Sequence, residues 1–350
     1  MSLDTAGLFE RPERFACGVH PEHGKLDWTE TTREELDNAA FLDERFVESR
    51  SVHEVDLRAV LAYHDEHANQ AGNVGYIFHT SFCCSTLLAR CLSVPGASLA
   101  LKEPSILLDV ANFRRRHSGA AGDEQFTRLL SLTARLLGKR FGDESVVVKP
   151  TNTANNLAAP LLALPSTSAV LLLYGELRDF LVSVAKYGTK GRSFFRRLFR
   201  ILRYDVDTIR NTSPEEAMVL TDLQMAATVW YGQMRMFQQL ALRSDQRVRS
   251  LSSETFLNNP RETLEAAAGF FGLSLTDESF DQIEERGLLG RDSKFEDRFY
   301  DASQRLADRR ELERNYGAEI DEAIAWLNES TRQAPVGDLP NTLCPVEGIQ

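Results

Sequence analysis

Tyr76-Ile77-Phe78-His79-Thr80-Ser81-Phe82-Cys83-Cys84-Ser85-Thr86-Leu87-Leu88 passes from strand to turn to helix within one short stretch. The three leading apolar residues read as a buried strand, the small hydroxyl and thiol residues as a turn, and 86–92 as a helix. Outward from it, 97–101, 146–148 and 169–173 are further short apolar runs, and 247–251 is a candidate fifth strand. Helical patterns at 104–116, 124–140, 154–163 and 177–187 separate them. Strands alternating with helices predict an α/β fold of the P-loop NTPase-like kind, a parallel sheet with helices on both faces and added helices besides.

The flanks are less patterned. The first ~70 residues are polar and charged, with a helix expected over 54–69. Ser213-Pro214-Glu215-Glu216 is a capping box with proline in the first turn, and it predicts one long helix through Trp230 to about Leu242. Asn259-Pro260-Arg261-Glu262 opens another helix that Gly272 stops. The expected organisation is an extension over 1–73, an α/β domain over 74–330 and an irregular tail over 331–350. We find no repeat and no low-complexity segment.

The 350 residues are 43% hydrophobic and 26% charged, which excludes fibrous and wholly disordered chains. The net charge of −11 argues against general nucleic-acid binding, so no nucleic-acid partner is expected. Five cysteines, at 17, 83, 84, 91 and 344, form no CxxC and leave one over in any pairing. A reducing compartment follows as the expectation. The N-terminus carries Asp4 and Glu10 without an apolar run, and the apolar region 157–173 is broken by Pro160 and Pro165. Neither a secretory signal nor a membrane span is expected, and the expected location is cytoplasmic.

In a doubly wound sheet, ligands bind beyond the carboxyl ends of the strands. The turn at 79–86 lies there and can cradle a phosphate with its backbone N–H groups and the hydroxyls of Ser85 and Thr86. The plainer reading is a helix cap with small residues filling a tight turn. No GxxxxGK[ST] occurs, which weighs against an ATP- or GTP-hydrolysing loop. The vicinal Cys83-Cys84 is read as small-residue packing rather than thiol chemistry.

Five stretches in this order resemble the sulfotransferase family, which transfers a sulfuryl group from 3′-phosphoadenosine-5′-phosphosulfate (PAPS). Thr80-Ser81-Phe82-Cys83-Cys84-Ser85-Thr86 resembles the family's 5′-phosphosulfate loop. Leu101-Lys102-Glu103-Pro104 sits where many members carry an acidic base, and Val148-Lys149-Pro150 resembles the Lys-x-Pro segment. Leu173-Tyr174-Gly175-Glu176-Leu177-Arg178-Asp179 through Ser183 resembles the 3′-phosphate strand and helix. The stretch from Leu251 through Pro260 to Leu273 resembles a late family region. The likeness covers about 74–273. Two departures stand out. The loop's usual basic residue falls on Phe82 and its glycine on Cys84, and the 3′-phosphate arginine falls on Gly175.

The resemblance implies PAPS as donor, no metal, and an in-line transfer to a hydroxyl or amine acceptor: a carbohydrate, lipid, phenol or peptide. It assigns Ser81, Phe82, Cys83, Cys84, Ser85, Thr86, Arg178 and Ser183 to the nucleotide, with Lys102, Lys149, Arg178 and Lys186 as cations that could replace the two missing ones. Glu103 is the expected base, against an ion pair with Lys102 or a helix-dipole carboxylate. His79 is the rival base, against a satisfied histidine at a strand end. Lys149 is an anion clamp or a rim charge. Arg291 and Lys294 fall where the family has a late loop. A non-catalytic nucleotide- or phosphate-binding module is the alternative function, and a phosphotransferase the third.

Two charged segments complete the inventory. Lys190, Arg192, Arg196, Arg197, Arg200 and Arg203 interleave with phenylalanines and leucines. We read them as a helix packing its apolar face on the core. Recruitment of an anionic acceptor, and then contact with a membrane surface, rank behind. His64 and His67 share a helical face but read as part of a solvated charged helix rather than a metal site.

Overall fold

The computed structural model describes residues 5–67, 73–117, 119–243, 245–288 and 302–344. Its centre is a five-stranded parallel sheet in the order β5-β6-β4-β7-β8. The strands are β4 (Val74–His79), β5 (Ser98–Lys102), β6 (Ser145–Lys149), β7 (Thr167–Tyr174) and β8 (Val248–Ser252). Every residue of β4 and β5 is buried, and so are the three valines of β6. Such continuous apolar runs belong to a sheet covered on both faces. All five strands expected from the sequence are present within one or two residues.

The first seventy residues hold more structure than expected. β1 (Arg14–His20), β2 (Lys25–Glu30) and β3 (Val52–Asp56) form an antiparallel sheet of their own, with a bulge between Ala16 and Gly18. The helix expected over 54–69 is Leu57–Glu66, opened by the Asp56 side chain accepting from the Arg58 and Ala59 N–H groups. His64 is buried at 4% exposure and meets Ser131 Oγ at 3.1 Å, which corrects the solvated reading of that helix.

The long helix expected from Ser213 is two helices. Ser213 caps Pro214–Val219, the chain becomes extended at Leu220 (ψ 135°), and a second capping box at Thr221 and Gln224 opens Asp222–Ala241. A cap needs non-helical backbone immediately ahead of it, so the second box breaks the first helix. Unforeseen altogether is the helix Ala302–Ser330, whose stripe Ile320, Ala323 and Leu327 is buried. The tail is tied to β8 by Ser250 N donating to Asn341 O (2.9 Å) and Leu343 N donating to Ser250 O (2.8 Å).

The chain divides into two compact units. One comprises Met1–Phe78, Thr86–Leu171 and Leu264–Arg286, and the other His79–Ser85, Leu172–Thr263 and Gly287–Gln350. Within the first, Gly75 lies so close to Phe271 that an added Cβ would meet its ring at 2.5 Å. In the second, the helices Leu177–Lys186, Gly188–Leu202, Asp222–Ala241 and Ala302–Ser330 pack on one another. Among the described residues no helix is long and apolar enough to cross a membrane.

Candidate functional site

In the first unit, parallel pairing aligns Tyr76 with Val148 and Lys102 with Lys149, so the carboxyl ends of β4, β6 and β5 are nearly level. At this edge Glu103 follows β5 with a left-handed backbone, φ 57°. A side chain in that region costs about 1–2 kcal/mol and persists only where its surroundings over-determine it. Here they do. Glu103 N donates to Lys149 O (2.7 Å), and Leu42 accepts from Ser105 N (3.0 Å) while donating to Lys102 O (2.7 Å).

The same twist sends the two adjacent lysines to different tasks. Lys102 is fully buried and donates to the carbonyls of Leu36 (3.3 Å), Asp37 (2.9 Å) and Ala100 (3.3 Å). Burial pulls it down to about 8, with the Asp37 carboxylate opposing. It is a strut for the 36–42 segment, so its expected use as a replacement cation is corrected. Lys149, with a side chain 1% exposed, donates to Glu103 Oε1 at 2.5 Å and lies 5.7 Å from the Phe41 ring centre. The Glu103 side chain is 21% exposed. Its ion-pair partner is thus Lys149 and not Lys102. The arrangement presents a carboxylate at the strand edge, held from beneath by a buried ammonium.

In the second unit the turn after β4 has an uncommon backbone. Ser81 (φ 76°), Phe82 (φ 51°) and Cys84 (φ 60°) are all left-handed without being glycine. Three such residues hold about 3–6 kcal/mol of local strain. Successive backbone N–H groups in a turn can form a concavity suited to anions. The turn is anchored around its rim. Thr80 N donates to Leu173 O (3.2 Å), Thr80 Oγ1 accepts from Gly175 N (3.3 Å), and Cys83 Sγ points at Leu173 O (3.6 Å). His79 is 5% exposed, and its Nδ1 accepts from Ser81 N at 3.2 Å. That bond leaves the proton of a neutral ring on Nε2. Ser85 and Thr86 open the helix Ser85–Cys91.

Phe82 and Gly175, where the resemblance would expect cations, both make contacts of their own. Phe82 stacks on Tyr187 (centroids 5.1 Å, 22°) and tilts against Phe180 (6.2 Å) and Phe195 (5.8 Å). A Cβ added at Gly175 would meet Ser253 Oγ at 3.4 Å, Cys83 Cβ at 3.7 Å and Phe82 O at 3.8 Å. These are ordinary van der Waals distances, so Gly175 adjoins the turn without being sterically required there, and its carbonyl accepts from Trp230 Nε1 at 2.8 Å. Arg178 is ion-paired with Asp321 on the helix Ala302–Ser330. Ser183 is half-buried on the helix Leu177–Lys186, and Lys186 is exposed. Arg291 and Lys294 lie outside the described residues.

Sequence reading missed Trp230 and Gln233. The fully buried Gln233 donates to Thr80 O (3.4 Å), so the helix Asp222–Ala241 supports the turn from a distance of some 150 residues. The only signal was a few polar-capable side chains, Thr228, Trp230, Tyr231 and Gln233, on a largely apolar helix face.

The residues present fit the phosphate end of a nucleotide in one respect, a strained turn after a strand with the Ser85 and Thr86 hydroxyls at the start of the next helix. They supply little charge there: Phe82 and Gly175 carry none, and Arg178 is ion-paired with Asp321. No protein-family model matches the chain, and no curated protein matches it significantly, so the functional reading rests on the residues themselves.

Proposed function

We propose that the chain is a sulfotransferase-like enzyme that moves the sulfuryl group of PAPS to a hydroxyl or amine acceptor. The observation that carries the reading is the left-handed backbone at Cys84, φ 60°, at the position matched to the family's glycine. A position that family members fill with the residue most at ease at positive φ adopts that conformation here at a cost in strain. Ser81 and Phe82 extend the same curl.

On this reading the turn's N–H groups and the Ser85 and Thr86 hydroxyls receive the 5′-phosphosulfate. A base takes the proton from the acceptor as its oxygen or nitrogen bonds to sulfur, the part that the resemblance assigns to Glu103. The bond from sulfur to the phosphate oxygen breaks, and adenosine 3′,5′-bisphosphate leaves. Lys149 orients the Glu103 carboxylate by donating to Oε1. The developing charge falls on backbone donors rather than on the two missing side chains.

A non-catalytic nucleotide-binding module is the second reading, favoured by the commitment of Arg178 to Asp321 and of Lys149 to Glu103. Titration with adenosine 3′,5′-bisphosphate tests the shared part. Nucleotide at 100 times its Kd stabilises the fold by about 2.7 kcal/mol, and no shift at millimolar nucleotide removes both readings. Glu103→Gln separates them. The enzyme loses turnover of PAPS and keeps nucleotide binding, whereas the module shows no turnover to lose. A preference for ATP with Mg²⁺ would point to phosphoryl transfer instead.

A further inference from the structure

The helix Gly188–Leu202 buries Gly191, Phe195, Leu198, Phe199 and Leu202 along one side. The helical repeat of 100° per residue then places Lys190, Arg196, Arg197, Arg200 and Arg203 on the opposite half, and all five are exposed. From 188 to 203 the chain has no aspartate or glutamate. Arg192 and Arg196 turn to Asp222, Arg192 also meets Glu319, and Arg197 lies 5.7 Å from the Phe194 ring centre. Among the described residues Lys190, Arg197, Arg200 and Arg203 have no carboxylate within ion-pair distance. On a chain of net charge −11 this is a concentrated basic face.

Exposed large side chains lie near it in the chain. Tyr204 follows Arg203 directly and is 66% exposed, and Arg210 fixes that turn by donating to the carbonyls of Arg203 (3.3 Å) and Tyr204 (2.8 Å). Met218 and Val219 are 84% and 80% exposed at the end of Pro214–Val219, a helix that buries none of its residues. Val219 is three residues from Asp222, the partner of Arg196, and so lies within about 11 Å of that residue.

We propose that this face docks on an anionic phospholipid bilayer, with the arginines among the headgroups and Met218, Val219 and Tyr204 inserted at the interface. Charge complementarity chooses an anionic partner, and the apolar tips choose among anionic partners. A soluble polyanion gains nothing from an exposed methionine and valine, whereas a bilayer interface buries both and takes tyrosine at headgroup depth. Glu215 and Glu216 oppose the docking from the first turn of the short helix. Glu216 is occupied by the Ser213 N–H, and both precede the tip.

The test is co-sedimentation of the full chain with vesicles of phosphatidylcholine containing about one-third phosphatidylserine, against phosphatidylcholine alone and soluble heparin. The chain binds the anionic vesicles and not the neutral ones. Arg197→Gln with Arg200→Gln weakens that binding about 25-fold, at about fivefold per charge. Met218→Ser with Val219→Ser weakens it about tenfold or more and leaves heparin binding unchanged. These side chains are exposed, so circular dichroism of both variants stays as in the wild type. Failure of the wild type to bind anionic vesicles overturns the proposal. So does wild-type vesicle binding by the Met218 and Val219 double variant, which would make the face a general polyanion surface.

Discussion

Replacing Lys149 by methionine, alone and together with Glu103→Gln, tests whether the carboxylate at the strand edge is held as the structure describes. Lys149 is 1% exposed and donates to Glu103 Oε1 at 2.5 Å, while Glu103 keeps 21% exposure. Removing one partner of a buried pair costs about 3–5 kcal/mol, because the other charge is left uncompensated. Partial access to water at Glu103 puts Lys149→Met at the lower end, about 3 kcal/mol. Glu103→Gln keeps an oxygen for the ammonium to reach and loses the charge assistance, about 1.5–3 kcal/mol. With both charges gone, the second substitution no longer strands a charge. The double variant is therefore less destabilised than the sum of the singles by about 2 kcal/mol. Urea unfolding at neutral pH reads the four corners of the cycle. Hydrogen exchange at the Glu103 amide, which donates to Lys149 O, reads the same edge locally. A coupling below about 0.5 kcal/mol would show a solvated pair, and Glu103 would then lack the fixed orientation a base requires.

Three further outcomes follow from named contacts. Cys84→Gly relieves about 1–2 kcal/mol of left-handed strain at φ 60° and adds about 0.5–1 kcal/mol of unfolded-state freedom, a net gain of roughly 0.5–1 kcal/mol in urea titration. Phe82→Arg gives up ring contacts with Tyr187, Phe180 and Phe195 and lowers stability by about 1–3 kcal/mol, yet it tightens adenosine 3′,5′-bisphosphate by about tenfold or more in calorimetry. Asp109 accepts from Val19 N at 3.0 Å, and burial, with the Asp27 charge adding, pushes it up to about 6. The native state then holds this proton more tightly than the unfolded chain, so the contribution is full below about pH 4 and is lost as pH rises through about 6. Asp109→Asn keeps the acceptor and does not titrate. It is more stable than wild type by about 1–2 kcal/mol in melts at pH 7, and the difference closes at pH 4.

The sheet was legible because most of its strands are short apolar runs that alternate with helical patterns; β8, Val248-Arg249-Ser250-Leu251-Ser252, is the polar exception. β2 and β3 escaped because their inward residues are few and spaced by charge, as in Lys25-Leu26-Asp27-Trp28, and β1 because a bulge breaks its alternation. The helix Ala302–Ser330 escaped because charge dominates its composition and its buried stripe is thin. At the site, Glu103, Lys149 and the turn were marked by their places after strands. The pairing of Glu103 with Lys149 rather than Lys102 was not, because it depends on a left-handed residue that turns the carboxylate back over β6. Trp230 and Gln233 were equally hidden, since only the packing of a distant helix brings them to Gly175 and Thr80. The basic cluster was visible in composition, but the exposure of Met218 and Val219 beside it was not.

The central claim is that the turn at 80–86 receives the 5′-phosphate of the donor nucleotide. A crystal structure of the chain with adenosine 3′,5′-bisphosphate examines it directly. The account predicts phosphate oxygens within hydrogen-bond distance of the turn's N–H groups and the Ser85 or Thr86 hydroxyl, with Ser81, Phe82 and Cys84 still left-handed. Nucleotide bound elsewhere on the chain, with that turn bare, would contradict it.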